Sequence, residues 1–528
     1  MGLDAIIIAD SSTDSMSGTS ALRLHLDGKE ATIQNIIDYI HKQPLRDDGI
    51  ASWSSTLKLN GIFLYSYLSR HGFDVALINN FEEERERFVE LSAEQPAAII
   101  ISSTFIMNKE VLRKLVADIR SILPHAYIIA GGAYINISYM ILQRELASSG
   151  YLMTPGRKDY LFQEINEEPA VDLYIASLRG ESILTGILDN LKKRQSIGLP
   201  ANSARLDGAA YVFGERVDDL SKADPILIDW DSLPETFFKN KVVPMQASNG
   251  CSFHCSFCSF TKNARMLQIT PLDRLISDLK TVERRGVKYV WFVDDNFRLG
   301  KNDLNTVCRR IINEGINLRW MSFIRASTLI KTDPDLLKKA GCVEVQLGLE
   351  SGDDQVLHNM NKKAKAGMYA NVVETLLRHG INCSCYFLFG FPGETDESAQ
   401  RTLEFIRSIE FPKYDGVLTW SLFPFILTAL SPIYEDAMRN QYKLKGYWQD
   451  WEHPTMNYTQ ARNHVVKTFF ELKQSSILYR GDNQDIYLAL APSARKAFVS
   501  YRHECTKLSL MKKLDLQKME DTMRRILA

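Results

Sequence analysis

The sequence predicts an α/β protein of two parallel-sheet domains in series, an open doubly wound sheet and then a partial barrel, followed by a small, mostly helical domain. Short β-branched runs alternate with amphipathic stretches from Ala5 to Lys193, the alternation restarts at Val242, and the intervening stretch shows no sustained periodicity. Length agrees. The 528 residues exceed the roughly 250–300 at which one hydrophobic core stops growing.

In the first alternation, residues 5–9, 74–79, 97–103, 126–132 and 173–177 read as strands buried on both faces, because their apolar runs are nearly continuous. Helical spacing marks 56–71, 82–92, 109–122 and 181–193 between them. Repeated strand and helix make a Rossmann/flavodoxin-like domain over residues 1–195. Two interruptions, 11–55 and 136–170, have the length of segments that carry function or extra elements. Gly, Pro and Asp without periodicity place a linker at 196–238.

The second alternation has strands at 242–248, 288–294, 318–325, 343–350, 383–390 and 416–423, with helices at 271–284, 304–313, 333–339, 366–379 and 397–409. This is a partial (β/α)6 TIM-type barrel spanning 239–432, whose functional groups belong at the C-terminal strand ends. Residues 433–528 read as a helical accessory or cap domain.

A composition of 45% hydrophobic and 24% charged residues with net charge -1 is that of an ordinary soluble globular protein. It carries no basic footprint for nucleic acid. The opening run Ala5-Ile6-Ile7-Ile8-Ala9 lacks a basic flank and is too short for a signal peptide or a membrane span. A cytoplasmic protein with no nucleic-acid or membrane partner is expected. Of the eight cysteines, Cys308, Cys342, Cys383, Cys385 and Cys505 are scattered, which is no disulfide framework. Cys383 and Cys385 share one face of a strand and read as small core residues.

Cys251, Cys255 and Cys258 stand apart from the rest, spaced C-x3-C-x2-C directly after the first barrel strand. Three thiolates on one tight loop can each take one iron of a 4Fe-4S cubane and leave the fourth iron without a protein ligand. The alternative is a structural zinc site, and with it a non-enzymatic binding protein, using these thiols and His254.

The motif resembles that of the radical S-adenosylmethionine (SAM) superfamily, including the aromatic Phe257 before the last cysteine. The resemblance continues along the barrel. Val290-Trp291-Phe292-Val293-Asp294-Asp295-Asn296-Phe297, Gly348-Leu349-Glu350-Ser351-Gly352 and Phe389-Gly390-Phe391-Pro392-Gly393-Glu394-Thr395 are similar to segments of its cobalamin-associated branch. It implies that the open iron binds SAM and that a 5′-deoxyadenosyl radical follows from its reduction. Phe257, Asp294, Arg325, Glu350, Ser351 and Gly390 are then the expected SAM-site residues: Asp294 and Glu350 toward the ammonium and ribose, and Arg325 toward a carboxylate. For Asp294 a helix cap, for Arg325 a local ion pair and for Gly390 a tight turn are the structural alternatives.

A doubly wound domain placed ahead of such a barrel resembles the cobalamin-binding members. Asn60-Gly61-Ile62-Phe63-Leu64, Ser102-Ser103-Thr104, Ala130-Gly131-Gly132 and Arg179-Gly180-Glu181 fall at strand ends or helix starts, where open α/β sheets bind ligands. Ser102, Ser103, Thr104, Gly131, Gly132 and Glu181 are the expected cobalamin contacts. The Asp-x-His-x-x-Gly signature that supplies a histidine to cobalt is missing, and a cofactor-free domain is the alternative. Trp451-Glu452-His453-Pro454-Thr455-Met456 resembles the end of phosphinate P-methyltransferases, or else is a helix cap with a packed tryptophan. The resemblance implies methyl transfer to an unactivated carbon or phosphorus centre of a small-molecule or peptide substrate, with flavodoxin or ferredoxin as electron donor. A cobalamin-using ring closure or rearrangement is the alternative reaction.

Overall fold

The computed structural model describes residues 2–11, 22–44, 56–148, 150–152, 154–218, 227–260, 268–297, 303–479 and 484–528. The chain divides into two compact units, one of Met1–Thr13 with Leu57–Phe237, the other of Asp14–Thr56 with Phe238–Ala528.

The first unit holds a seven-stranded sheet in the order Val75–Ile78, Ala5–Ile8, Ala98–Ser102, Tyr127–Gly131, Leu173–Ile175, Ser203–Asp207, Ala210–Phe213. Its first five strands are parallel and correspond to the five expected runs. Ala5–Ile8 is buried at every residue, as a central strand flanked by two others requires. The last two strands are antiparallel and come from the segment expected to be linker. They form a half-exposed hairpin around Gly208, which turns at φ +61°. Asp207-Gly208 was a hairpin signal in the sequence, but the short flanking runs hid it.

Both interruptions contain structure. The helix Ala133–Ala147 occupies part of the second; its weak amphipathicity left no periodic trace. The first, where described, folds with the other unit. Its hairpin His25–Leu26/Lys29–Glu30 and helix Ile33–Ile40 place Leu24, Ile33 and Ile36 against Phe498, Met519 and Met523. The expected continuous domain over 1–195 is therefore interrupted. Residues 12–21 and 45–55 of that interruption lie outside the described residues.

In the second unit the strands Val242–Met245, Tyr289–Phe292, Arg319–Phe323, Cys342–Glu350, Asn382–Phe389 and Leu418–Pro424 lie side by side in chain order, all parallel. Ser476–Ile477 adds a short seventh from beyond the expected barrel. Local signals start the helices: Asp303 caps Leu304–Asn313, Asp333 caps Pro334–Lys339, and Thr395 with Ser398 forms a capping box for Asp396–Ser408. Cys383 and Cys385 are fully buried, as expected of core residues. The C-terminal part is not purely helical. A three-stranded antiparallel sheet, Lys445–Tyr447, Asp450–His453 and Met456–Asn457, precedes the helices Tyr458–Glu471, Pro492–Leu510 and Leu516–Leu527. No helix among the described residues is long and apolar enough to cross a membrane.

Candidate active site

The cysteine loop leaves the first barrel strand through Ser248–Asn249, which pairs antiparallel with Gln268–Ile269, and turns at Gly250 with φ +98°. Two consecutive carboxylates at the end of the second strand fasten it. Asp294 accepts from the Ala247 N–H at 3.1 Å, the Ser248 hydroxyl at 2.6 Å and the Ser248 N–H, while Asp295 accepts from the Gly250 N–H at 3.1 Å. Burial pushes Asp294 up to about 7 and Asp295 up to about 6. The expectation for Asp294 needs correction. It is 1% exposed beneath the loop and takes no part in the cavity wall, whereas Asp295 does. Asp294 shapes the loop and its neighbour faces the ligand space.

Cys251, Cys255, Cys258, Phe257, Arg325 and Glu350 line one cavity of about 280 Å³ at the C-terminal strand ends. His254 is exposed and outside that lining, so the zinc arrangement it would complete is not built here. Arg325 does not present a free fork to a carboxylate. Nη1 donates to Cys255 Sγ at 3.8 Å, Nη2 donates to the Lys362 carbonyl at 2.5 Å, and the guanidinium lies 3.6 Å from the Phe253 ring centroid.

Glu350 ends the fourth strand at φ +67°, a left-handed backbone rare for a residue with a Cβ. Its Oε1 accepts from Lys362 Nζ at 2.7 Å. The glycines around it now have reasons. A Cβ on Gly348 would collide with Glu350 Oε1 and crowd Lys362 Nζ, and one on Gly352 would collide with Phe405 on the helix Asp396–Ser408. Ser351 is fully buried and bonded to Thr402 at 3.0 Å, outside the cavity. Gly390 is outside it too. At φ +92° it packs where a Cβ would strike Trp451 and Ala461, and its N–H donates to Glu394. Both expected SAM contacts instead brace the strand ends from behind. Trp451 does pack just ahead of a helix, donating to the Phe425 carbonyl at 2.8 Å, but it sits in the small antiparallel sheet.

Sequence reasoning missed Asp295 and Lys362 and, in the same wall, three further residues: Asn296, Gln346 and Tyr369. Each of these three is at most 6% exposed, and Asn296 Oδ1, Gln346 Oε1 and the Tyr369 hydroxyl have no protein partner among the described residues. Buried polar atoms are normally bonded, so these three are open to a ligand or water in the cavity. Three cations, two carboxylates, two amides and two phenols beside three thiols suit a ligand carrying carboxylate, ammonium and ribose hydroxyls next to a thiolate-bound cluster. Of the missed residues, only Asp295 and Asn296 had a sequence signal, their place within the segment Val290–Phe297.

In the first unit, a cleft of about 130 Å³ opens at the C-terminal strand ends. Ser102, Thr104, Gly131, Gly132 and Glu181 line it, over an apolar floor that includes Ile100, Ile129 and Ile175. Asn60 Nδ2 bridges the Ala9 carbonyl at 2.9 Å and Ser102 Oγ at 2.7 Å. Glu181 is tied to Arg179 at 2.8 Å. Ser103 lies behind the lining and donates to the Gly131 carbonyl at 2.7 Å. Gly132, at φ +102°, brings the backbone close to Ser103, and a Cβ there would be both strained and crowded.

A parallel partial barrel with a three-cysteine loop at its C-terminal face and a cationic, amide-lined cavity beside it defines a radical SAM domain. Residues 245–406 match the radical SAM superfamily, a class that uses a 4Fe-4S cluster and SAM. Among curated proteins the chain is 30% identical over 258 residues to an uncharacterized methyltransferase of Pyrococcus horikoshii, covering 47% of this chain and 55% of the relative. It is also 30% identical over 183 residues to bacteriochlorophyllide d C-12(1)-methyltransferase of Chlorobaculum tepidum, covering 33% and 40%. The matches thus span about half or less of those relatives. Among solved structures, the radical SAM methyltransferase TsrM of Kitasatospora setae, solved with cobalamin and a [4Fe-4S] cluster, superposes with TM-score 0.54 at 16% identity over 82% of this chain and 77% of its own. The cobalamin-dependent radical enzyme OxsB gives 0.51 at 16% identity over 83% and 56%. At these identities the likeness is one of fold.

Proposed function

We propose that this chain is a cobalamin-dependent radical SAM methyltransferase acting on an unactivated carbon or phosphorus centre of a small-molecule or peptide natural product. The observation that carries the reading is the cleft in the doubly wound unit. Its small residues Ser102, Gly131 and Gly132 expose backbone, and its floor is apolar. That wall suits the flat, apolar benzimidazole base at the end of a corrinoid's nucleotide tail. Cobalamin in TsrM and OxsB, and the methyltransferase names of the two curated relatives, support it.

When bound, cluster and SAM supply hydrogen-abstracting radical chemistry and cobalamin supplies a transferable methyl group. The chain's own part is positioning. Asp294 and Asp295 hold the cysteine loop, Lys362 and Glu350 offer opposite charges to the amino-acid end of SAM, and Asn296, Gln346 and Tyr369 offer hydrogen bonds to its polar edges. A flavodoxin or ferredoxin delivers the electron.

The test uses anaerobically reconstituted protein made with hydroxocobalamin, given methyl-labelled SAM, a reductant and candidate substrates, with corrinoid content and product mass as readouts. One corrinoid per chain and a labelled methyl group in product are expected. Protein with an intact cluster that refuses corrinoid defeats the reading, and 5′-deoxyadenosine formed with an unmethylated, rearranged product assigns ring closure instead.

A further inference from the structure

Arg325 occupies an unusual electrostatic position. It follows the third barrel strand, Arg319–Phe323, by two residues and is the N-cap of the helix Ala326–Leu329. Its side chain is held in place. The guanidinium is stacked 3.6 Å from the Phe253 centroid, and Nη2 is fixed by the Lys362 carbonyl at 2.5 Å. What remains of the fork, Nη1, points at Cys255 Sγ, 3.8 Å away.

Of the other cations of the wall, Lys362 pairs with Glu350 at 2.7 Å and Lys363 is exposed to solvent. Arg325 pairs with no carboxylate among the described residues, and Cys255 is 6% exposed, so water screens this contact little. A reduced cluster carries one more negative charge than an oxidised one, spread partly over its sulfurs. A fixed positive charge and a hydrogen bond at one cysteine sulfur therefore stabilise the reduced form more.

We propose that Arg325 sets the reduction potential of the cluster through Cys255, making the one-electron reduction by a low-potential donor easier, and that Phe253 is the platform that aims it. The inference rests on the cluster assignment and is independent of cobalamin. It makes Arg325 a positioning and tuning residue whose effect is present before SAM binds. Arginine suits this better than lysine because the planar fork can stack, bond the carbonyl and reach the sulfur together.

The experiment is a potentiometric titration of the reconstituted full chain without SAM, followed by the electron paramagnetic resonance signal of the reduced cluster, for wild type, Arg325→Lys, Arg325→Met and Phe253→Leu. The midpoint is expected to move to more negative potential in all three variants, furthest in Arg325→Met. Should Arg325→Met lose iron, Arg325→Lys and Phe253→Leu, which keep a cation in the wall, decide the question. Variants with four irons per chain and an unmoved midpoint overturn the inference and leave Arg325 as a ligand-binding residue only. A wild-type chain that assembles no cluster overturns the cluster assignment itself, which the iron content distinguishes.

Discussion

Lys362 Nζ lies 2.7 Å from Glu350 Oε1, and the glutamate reaches that position from a backbone at φ +67°. Left-handed geometry at a non-glycine residue costs about 1–3 kcal/mol and persists where surroundings impose it, commonly at ligand sites. Here the shift of register between Gly348 and Glu350 and the missing Cβ of Gly348 accommodate the conformation. The pair is thus built at the expense of backbone comfort, at the wall of the cavity that holds the cysteines.

Glu350→Gln should weaken SAM binding about ten- to a hundredfold, the scale of a lost charge-assisted hydrogen bond. Isothermal titration and iron content check it together. Glu350→Gly should bind SAM equally poorly yet unfold at no lower denaturant concentration, because glycine relieves the strain. Unchanged affinity in both variants would reduce Glu350 to a structural role.

Cys255→Ala should fall below four irons per chain and form no 5′-deoxyadenosine from SAM under reducing conditions. Iron analysis and chromatography of the nucleoside products measure this. The buried Cys383→Ala should keep both properties, since it lies in the core and lines no part of the cavity.

Thr104→Trp should lower corrinoid retention at least tenfold while cluster content and 5′-deoxyadenosine formation persist. Thr104 is exposed at the rim of the cleft, so bulk there blocks the opening without disturbing the core. Substituting Gly132 is a poorer probe, because its φ of +102° would add strain. Absorbance of the bound corrinoid after gel filtration reads the result.

Glu394 should make stability depend on pH. Its carboxyl is fully buried, Oε1 has no protein partner among the described residues, and burial pushes it up to about 8. The folded chain holds this proton more tightly than the unfolded chain, whose carboxyl titrates near about 4.3. Its stabilising contribution is complete below the lower value and is lost as pH rises through about 8. The unfolding free energy of the wild type should fall between about pH 5 and 8 more steeply than that of Glu394→Gln, by roughly 1 kcal/mol per pH unit.

Ile36→Ala should destabilise the helices Pro492–Leu510 and Leu516–Leu527 by about 2–5 kcal/mol, the usual cost of emptying a packed aliphatic site. Ile36 is fully buried in a cluster with Phe498 and Met523. Faster hydrogen exchange in 492–527, with little change in Ala98–Ser102, is the expected pattern.

Local patterning determined much of this protein. Continuous apolar runs marked every parallel strand except Ser476–Ile477, caps such as Asp303 and Thr395 marked helix starts, and the three-cysteine spacing with the segments around Asp294, Glu350 and Gly390 marked the chemistry, because each signal lies within a few consecutive residues. What those segments do was decided only when the chain closed on itself. Strand ends put neighbours on different sides, so Asp295 rather than Asp294 reached the cavity, and Ser351 and Gly390 turned away from it. Gln346 and Tyr369 carry no local mark, since an unpartnered buried atom is defined by what surrounds it. The excursion after Ala9 was equally unreadable. Its apolar face is satisfied by helices more than 450 residues further along the chain, as in the bond from the Leu24 N–H to Tyr479 455 residues away, and no window of sequence contains both partners.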